Sequence, residues 1–152
     1  METQQVDPNV VRVWRWRAVL LSCLPCVPLT ILVLRGPAPV SYLVPLLYVV
    51  AALVLIWRWP PAYYRALEFG VDAQGIAIRR GIFWRSRILL PRIRVQHSDV
   101  SQGPLERRYG VATLKLYTAG SHYTKVELPG LAHDDALALR DQLVARGGDG
   151  GV

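Results

Sequence analysis

Two cysteines, three histidines and one pair of adjacent aspartates are the residues from which this chain could build chemistry. Cys23-Leu24-Pro25-Cys26 has the spacing of a thioredoxin-like redox pair, whose thiolate needs a helix N-terminus that follows a strand. These cysteines instead lie within an apolar stretch that disfavours a charged nucleophile. They read as two small apolar residues on adjacent turns of a helix. His97, His122 and His133 are scattered, and none has a metal-ligand spacing. Asp134-Asp135 reads as the acidic start of a helix rather than a catalytic pair, because carboxylates stabilise the positive end of the helix dipole. The chain has no Ser-centred nucleophile elbow, phosphate loop or His-Glu-x-x-His string. Two cysteines also rule out a disulfide framework and a four-thiolate zinc knot. The expectation is a protein that is not an enzyme and has no cofactor or metal.

The rest of the chain says more about place than about reaction. Its 152 residues are 52% hydrophobic and 19% charged, with a formal charge of +7 from 18 basic and 11 acidic residues. The mean hydropathy is +0.24. Such an apolar content argues against disorder, and a positive mean hydropathy does not fit an ordinary soluble globule. The hydrophobicity is concentrated in residues 18–34 and 40–57, neither of which contains a charge. As helices rising about 1.5 Å per residue, each spans roughly 26 Å, slightly short of a hydrocarbon core of ~30 Å. Trp14 and Trp16 before the first run, and Trp57 and Trp59 around the end of the second, extend both into an interfacial aromatic belt. Pro25, Pro28 and Pro45 are tolerable in membrane helices.

Arg35-Gly36-Pro37-Ala38-Pro39 joins the two runs. So short a turn forces an antiparallel hairpin with both chain ends on one side. Arg12, Arg15, Arg17, Arg58 and Arg65 flank the outer ends, against Arg35 alone in the turn. The positive-inside rule then puts both termini in the cytoplasm, in a multi-pass protein of the cell membrane. A cleaved signal peptide fits poorly, because the second run would still anchor the product and prolines crowd the cleavage region. Leu20-Leu21-Ser22-Cys23 loosely resembles a lipoprotein cleavage box, yet only Ala18 and Val19 separate it from Arg17, too little for an apolar region.

After Pro60-Pro61, expected to end the second helix, the period changes to strand-like alternation. Leu67, Phe69 and Val71 share one face. Asp72-Ala73-Gln74-Gly75 reads as a turn before Ile76-Ala77-Ile78. Gly81 breaks the run, and residues 82–90 are expected to continue as strand, with Ile82, Trp84 and Ile88 on one face. Ile93 and Val95 alternate with Arg92, Arg94 and Gln96. Residues 111–117 and 123–128 complete six strands. An amphipathic helix then starts at His133-Asp134-Asp135, with Ala136, Leu137, Leu139 and Leu143 on its apolar side and Arg140 and Arg146 towards its end. A seventh strand or a short helix is left open for residues 98–109. The expected organisation is a basic N-terminal segment (1–17), a membrane hairpin (18–57), a strand-rich cytoplasmic domain (62–146) and a flexible Gly-rich tail (147–152).

The order and spacing of several strings resemble the bacterial PH-like family, the YdbS-type membrane proteins. They are Pro91-Arg92-Ile93-Arg94-Val95-Gln96, Gln102-Gly103-Pro104-Leu105-Glu106-Arg107-Arg108-Tyr109-Gly110-Val111-Ala112, Leu116-Tyr117-Thr118-Ala119-Gly120, and Leu128-Pro129-Gly130-Leu131 followed by Asp134-Asp135-Ala136. The resemblance implies an α+β fold: a transmembrane hairpin followed by a bent antiparallel sheet or barrel capped by a C-terminal helix. Seven strands are usual in such a fold. Relatives of this architecture often occur with a second, larger PH-like membrane protein, which implies a hetero-oligomer or self-association.

Residues 57–108 hold ten arginines against four acids (Glu68, Asp72, Asp99, Glu106), while residues 109–152 hold four basic and five acidic. Positive charge therefore gathers next to the membrane. Arg85 and Arg87 share a strand face, as do Arg92 and Arg94, and a hairpin would unite the four. With Arg58 and Arg65 these are the candidate contacts to anionic lipid, each worth about 1 kcal/mol at an anionic surface. The first hairpin turn, acidic and short, argues against phosphoinositide binding there. Nucleic acid is not an expected partner, because the membrane confines the site and no nucleic-acid motif is present. Gly103, Pro104, Leu105, Glu106, Arg107, Arg108 and Tyr109 form the candidate protein-contact loop. The expected function is a membrane-anchored binding or scaffolding module. The alternative is a sensor of anionic headgroups.

Overall fold

Both apolar runs are helical, and both helices outrun them. In the computed structural model, which describes residues 3–118 and 125–145, the first run lies in α1 (Val10–Ser22) and α2 (Cys26–Arg35), and the second in α3 (Val40–Ala66). The break at Cys23-Leu24-Pro25 follows from Pro25 and Pro28, neither of which has an amide hydrogen for the helical ladder. There the backbone tightens to Cys23 N–H donating to Leu20 O (3.3 Å), Leu24 N–H to Leu21 O (3.2 Å) and Cys26 N–H to Cys23 O (3.1 Å). The displaced Ser22 carbonyl accepts the Tyr48 hydroxyl of α3 at 2.7 Å. Satisfying a carbonyl internally matters most where no water can reach it.

None of the apolar window of the first stretch is buried within the protein, and only 6% of the second. A helix pair in the core of a soluble domain would be mostly covered, so these two are built for an apolar surrounding. Their 26 and 27 residues give about 40 Å each at 1.5 Å per residue, roughly 10 Å more than a hydrocarbon core requires. The surplus enters the domain. Val10 and Val13 of α1 and Pro60 of α3 are buried, while Trp14 and Tyr63 meet edge to face at 4.9 Å.

Pro60-Pro61 does not end the helix as expected; α3 runs on to Ala66. Proline's φ is itself helical, so the cost is two amide bonds. Burial of Pro60, and the packing of Tyr63 and Tyr64 on the core, offset it. The membrane helices thus continue into the domain without a linker.

One antiparallel sheet has the order β1 (Thr3–Gln5), β2 (Glu68–Val71), β3 (Gly75–Arg80), β4 (Ser86–Pro91). The other has the order β5 (Val95–Ser101), β6 (Val111–Thr118), β7 (Lys125–Ala132). Helix α4 (Pro104–Arg108) bridges β5 and β6, and α5 (His133–Ala145) closes the chain. These two open sheets with a C-terminal helix are the architecture that the resemblance implies. The strand missing from the sequence reading is β1, at the N-terminus, where Gln4 pairs with Phe69. Residues 98–109 instead hold the end of β5 and the short α4. Because β1 and β2 flank the hairpin and pair with each other, the hairpin leaves and re-enters one domain.

Strand alternation fills the core. Leu67, Ile76, Ile78, Leu114, Leu116 and Leu128 are fully buried, each such side chain contributing about 1.5–3 kcal/mol. Ala136, Leu139 and Leu143 of α5 lie on the same side, at helical spacing. The Asp72 carboxylate accepts the amides of Gln74 (2.8 Å) and Gly75 (3.0 Å), the aspartate turn that shapes the β2–β3 connection.

Two strand expectations are corrected. Residues 82–85 form the β3–β4 loop, so Trp84 does not share a strand face with Ile88. Gly81 sits at φ +107°, and a Cβ there would run into the Trp84 carbonyl, so the turn needs glycine. Arg92–Arg94 is a single 3-10 turn rather than a strand, and β5 starts only at Val95. The start of the last strand at Tyr123 and Thr124, Ala119-Gly120, His122, Arg146 and the tail 147–152 lie outside the described residues.

Candidate functional site

The last turn of α3 and the β3–β4 hairpin border an open cavity of about 390 Å³, walled by Ala62, Arg65, Arg79, Arg80, Arg85 and Arg87 among others. Antiparallel register is what gathers these charges, because Arg79 pairs with Arg87 and Arg80 with Ser86 across the two strands. The carboxylate at the cavity, Glu68, lies 3.8 Å from Arg79. Among the described residues, Arg65, Arg80, Arg85 and Arg87 make no ion pair within 4.0 Å. Five arginines and one glutamate line it, an excess of positive charge that suits an anion.

Of the six arginines singled out from the sequence, Arg65, Arg85 and Arg87 meet here. Arg58 is exposed on α3 and does not line the cavity. The expected union of Arg92 and Arg94 with Arg85 and Arg87 does not form. β4 and β5 belong to different sheets, and the 3-10 turn carries Arg92 and Arg94 past the far end of β4, about 17 Å along the strand. Sequence reasoning missed Arg79 and Arg80. Their signal was an arginine pair directly before Gly81, legible once residues 81–85 are read as a turn.

The loop over the cavity is apolar at its tip. Phe83 is 81% exposed and Trp84 91% exposed, although residues of this size are ordinarily covered. Phe83 lies 6.3 Å from Trp59 of α3, ring centre to ring centre. Nearby, the Arg15 guanidinium of α1 stands 5.3 Å over the Trp57 ring.

The candidate protein-contact segment is largely engaged internally. Glu106, a candidate contact residue, is buried; its carboxylate accepts Gly103 N–H (2.7 Å), Thr113 Oγ1–H (3.1 Å) and Arg17 Nη2–H (2.9 Å). Tyr109 accepts the Trp16 indole N–H through its hydroxyl at 2.8 Å. Gly103 and Leu105 are half-buried, which leaves Pro104, Arg107 and Arg108 facing outward. This segment grips α1.

A second concavity, an open groove of about 900 Å³, lies between β1 and α5. Gln4 and Gln5 of the outer strand line one wall and Gln142 of α5 the other, over Phe69 and Leu139, with Asp72 and Asp135 at the rim. No sequence signal pointed to it, because its walls come from opposite ends of the chain.

The family profile described as Bacterial PH domain matches residues 18–146. The transmembrane protein YdbS of Bacillus subtilis (strain 168) is 30% identical over 145 residues, covering 91% of this chain and 89% of that protein. No solved structure matches the chain. The match over nearly the whole sequence, together with two unburied apolar helices leading into two antiparallel sheets and a closing helix, shows that this chain is a transmembrane member of the bacterial PH domain family.

Proposed function

We propose that this protein is a binding and scaffolding module held on the cytoplasmic face of the cell membrane, where it assembles with another membrane protein. The observation that carries the reading is the groove between β1 and α5. β1 ends its sheet, and an outer strand beside a helix suits an extended segment that adds as a further strand. Apolar side chains on the floor give affinity, and the acidic rim favours a basic segment. Continuity between the membrane helices and the core supports the same reading, since it presents the groove at one height and orientation. The cytoplasmic side follows from five flanking arginines against one in the turn. Pro104, Arg107 and Arg108 are a second candidate contact surface.

The occupant is a segment of a second PH-like membrane protein or of a second copy. Photo-crosslinkers replacing Gln5 or Gln142 in native membranes test it. The expected result is one discrete protein adduct from both positions and none from Gln96 on the other sheet. Equal labelling at all three sinks the groove.

A second reading, that contact with anionic headgroups is itself the function, is favoured by the arginine cavity beside α3. Crosslinking separates the two, because a headgroup sensor gives no defined protein adduct.

A further inference from the structure

The β3–β4 loop carries two large apolar side chains that are more than four-fifths exposed, and it does so beside the end of the apolar span of α3. Trp59 belongs to the aromatic exit of α3, so its contact with Phe83 puts the loop tip beside that exit. Ala62, Arg65 and Ala66, one to two turns farther along α3, line the cavity behind the loop. Along the helix axis, the loop tip lies beside Trp59 and the arginine-lined cavity follows it. A bilayer edge presents the complementary order of interfacial apolar layer, then headgroup phosphates. The cavity wall on α3 is fixed relative to the apolar span, because the helix runs unbroken to Ala66.

We propose that the β3–β4 loop is a third membrane contact, with Phe83 and Trp84 seated in the interfacial layer and the cavity of Arg65, Arg79, Arg80, Arg85 and Arg87 holding the phosphate of an anionic lipid headgroup. Arginine suits the task, since its planar fork donates two parallel hydrogen bonds to phosphate oxygens. Trp84 supplies an amphipathic ring of the kind enriched at this depth. A soluble anion matches the cavity but leaves the exposed tip unexplained, and a bilayer lipid accounts for both. The inference rests on the second reading above, that the domain touches anionic headgroups, and adds where it does so.

The test uses the full chain with Cys23→Ala and Cys26→Ala, reconstituted in nanodiscs of phosphatidylcholine alone or with added phosphatidylglycerol. A polarity-sensitive fluorophore is attached at Trp84→Cys, with Gln96→Cys as the reference position. The expected result is a blue-shifted probe at position 84 that lipid-borne quenchers reach, while the probe at 96 stays in water. Phosphatidylglycerol deepens the effect, and Arg85→Gln with Arg87→Gln, both at exposed positions that leave the core intact, weakens its binding about fivefold per arginine.

A probe at 84 as wet as the one at 96 overturns the proposal. If phosphatidylglycerol still raises thermal stability in that case, the headgroup reading survives and only this site falls; if it has no effect anywhere, the reading falls as well. Inorganic phosphate abolishing the phosphatidylglycerol effect overturns the lipid as the source. Shielding seen in native membranes but not in nanodiscs assigns the loop to a protein partner and overturns the membrane contact.

Discussion

Arg17 of the first membrane helix and Glu106 of α4, 89 positions apart in sequence, form an ion pair at 2.9 Å. The carboxylate is almost fully covered while the guanidinium is half exposed. The bond therefore ties the membrane-proximal end of α1 to the domain from the protein side. Glu106→Gln is expected to cost about 1–3 kcal/mol, the range for losing a charged partner of a buried hydrogen-bond group. Arg17→Met, combined with Glu106→Gln, should cost less than the sum of the two alone. Thermal unfolding of the four chains in mild detergent measures this, and strict additivity would count against the coupling.

Gly130 holds α1 against β7 in a different way. Its φ is +86°, and a Cβ there would stand 2.6 Å from Val10 Cγ2. Its carbonyl also accepts Asp7 N–H at 2.7 Å. Gly130→Ala combines left-handed backbone strain with overpacking, so a loss of about 2 kcal/mol or more is expected. Adding Val10→Ala removes the two γ carbons but leaves Val10 Cβ at 2.8 Å, so it relieves part of the clash and none of the strain; the double variant should still be more stable than the two losses summed. Equal additivity would show that α1 is not seated on Gly130.

Pairing of Gln4 with Phe69 across the hairpin requires both flanks of the hairpin to lie on one side of the membrane. In a chain with Cys23→Ala and Cys26→Ala, Gln4→Cys and Arg107→Cys should react with an impermeant maleimide only after the cytoplasmic face is opened. Ala38→Cys, in the turn, should react from outside intact cells. Labelling of Gln4→Cys and Ala38→Cys from the same side would overturn the two-span arrangement.

The Lys125 ammonium lies 2.6 Å from the Glu127 carboxylate on β7. That hydrogen bond is the main reason the Glu127 carboxyl titrates below the ordinary glutamate range, helped by Lys115 across the strand pair and by Arg80. The same bond holds Lys125 above the ordinary lysine range. A lowered carboxyl stabilises the fold above the unfolded glutamate value, and this is lost as pH falls through the folded one. A raised ammonium stabilises it below the unfolded lysine value, and this is lost as pH rises through the folded one. Both side chains are more than a third exposed, so the effect on stability is small. The sharper check is an NMR titration of Glu127, whose midpoint should rise in Lys125→Met; an unmoved midpoint would refute the pairing.

Much of this architecture was legible because it is written in local pattern. Uncharged runs announced the two apolar helices, and a period of two announced β2, β3, β6 and β7. Asp72 and Gly75 announced a turn that the Asp72 carboxylate closes within three residues. Misreadings cluster where a residue's partner is remote. Pro60-Pro61 looked like a helix end because burial of Pro60 is invisible to a proline rule. Trp84 looked like a strand residue because its even spacing from Ile82 and Ile88 fits a shared face, and the loop that exposes it is made by Gly81. β1 escaped notice because Thr3, Gln4 and Gln5 form a strand only through β2, on the far side of the hairpin.

The candidate sites divide in the same way. That the membrane-proximal half is basic could be counted from residue types alone. Which arginines converge could not, since strand register joins Arg79 and Arg80 to Arg85 and Arg87, and a change of sheet at Arg92–Arg94 removes the other pair. Glu106 looked like a surface charge until α1 brought Arg17 to it.

Composition and periodicity by themselves determined that this chain enters a membrane, folds a strand-rich domain with a closing helix, and gathers its positive charge near the bilayer. Those properties depend on neighbours within a turn or a strand. Only the tertiary structure decided that the hairpin is inserted between two paired strands, that its helices serve as part of the domain's core, and that five arginines line one cavity behind an exposed aromatic loop. Each of these depends on contacts between residues far apart in the chain, whose geometry no local pattern encodes.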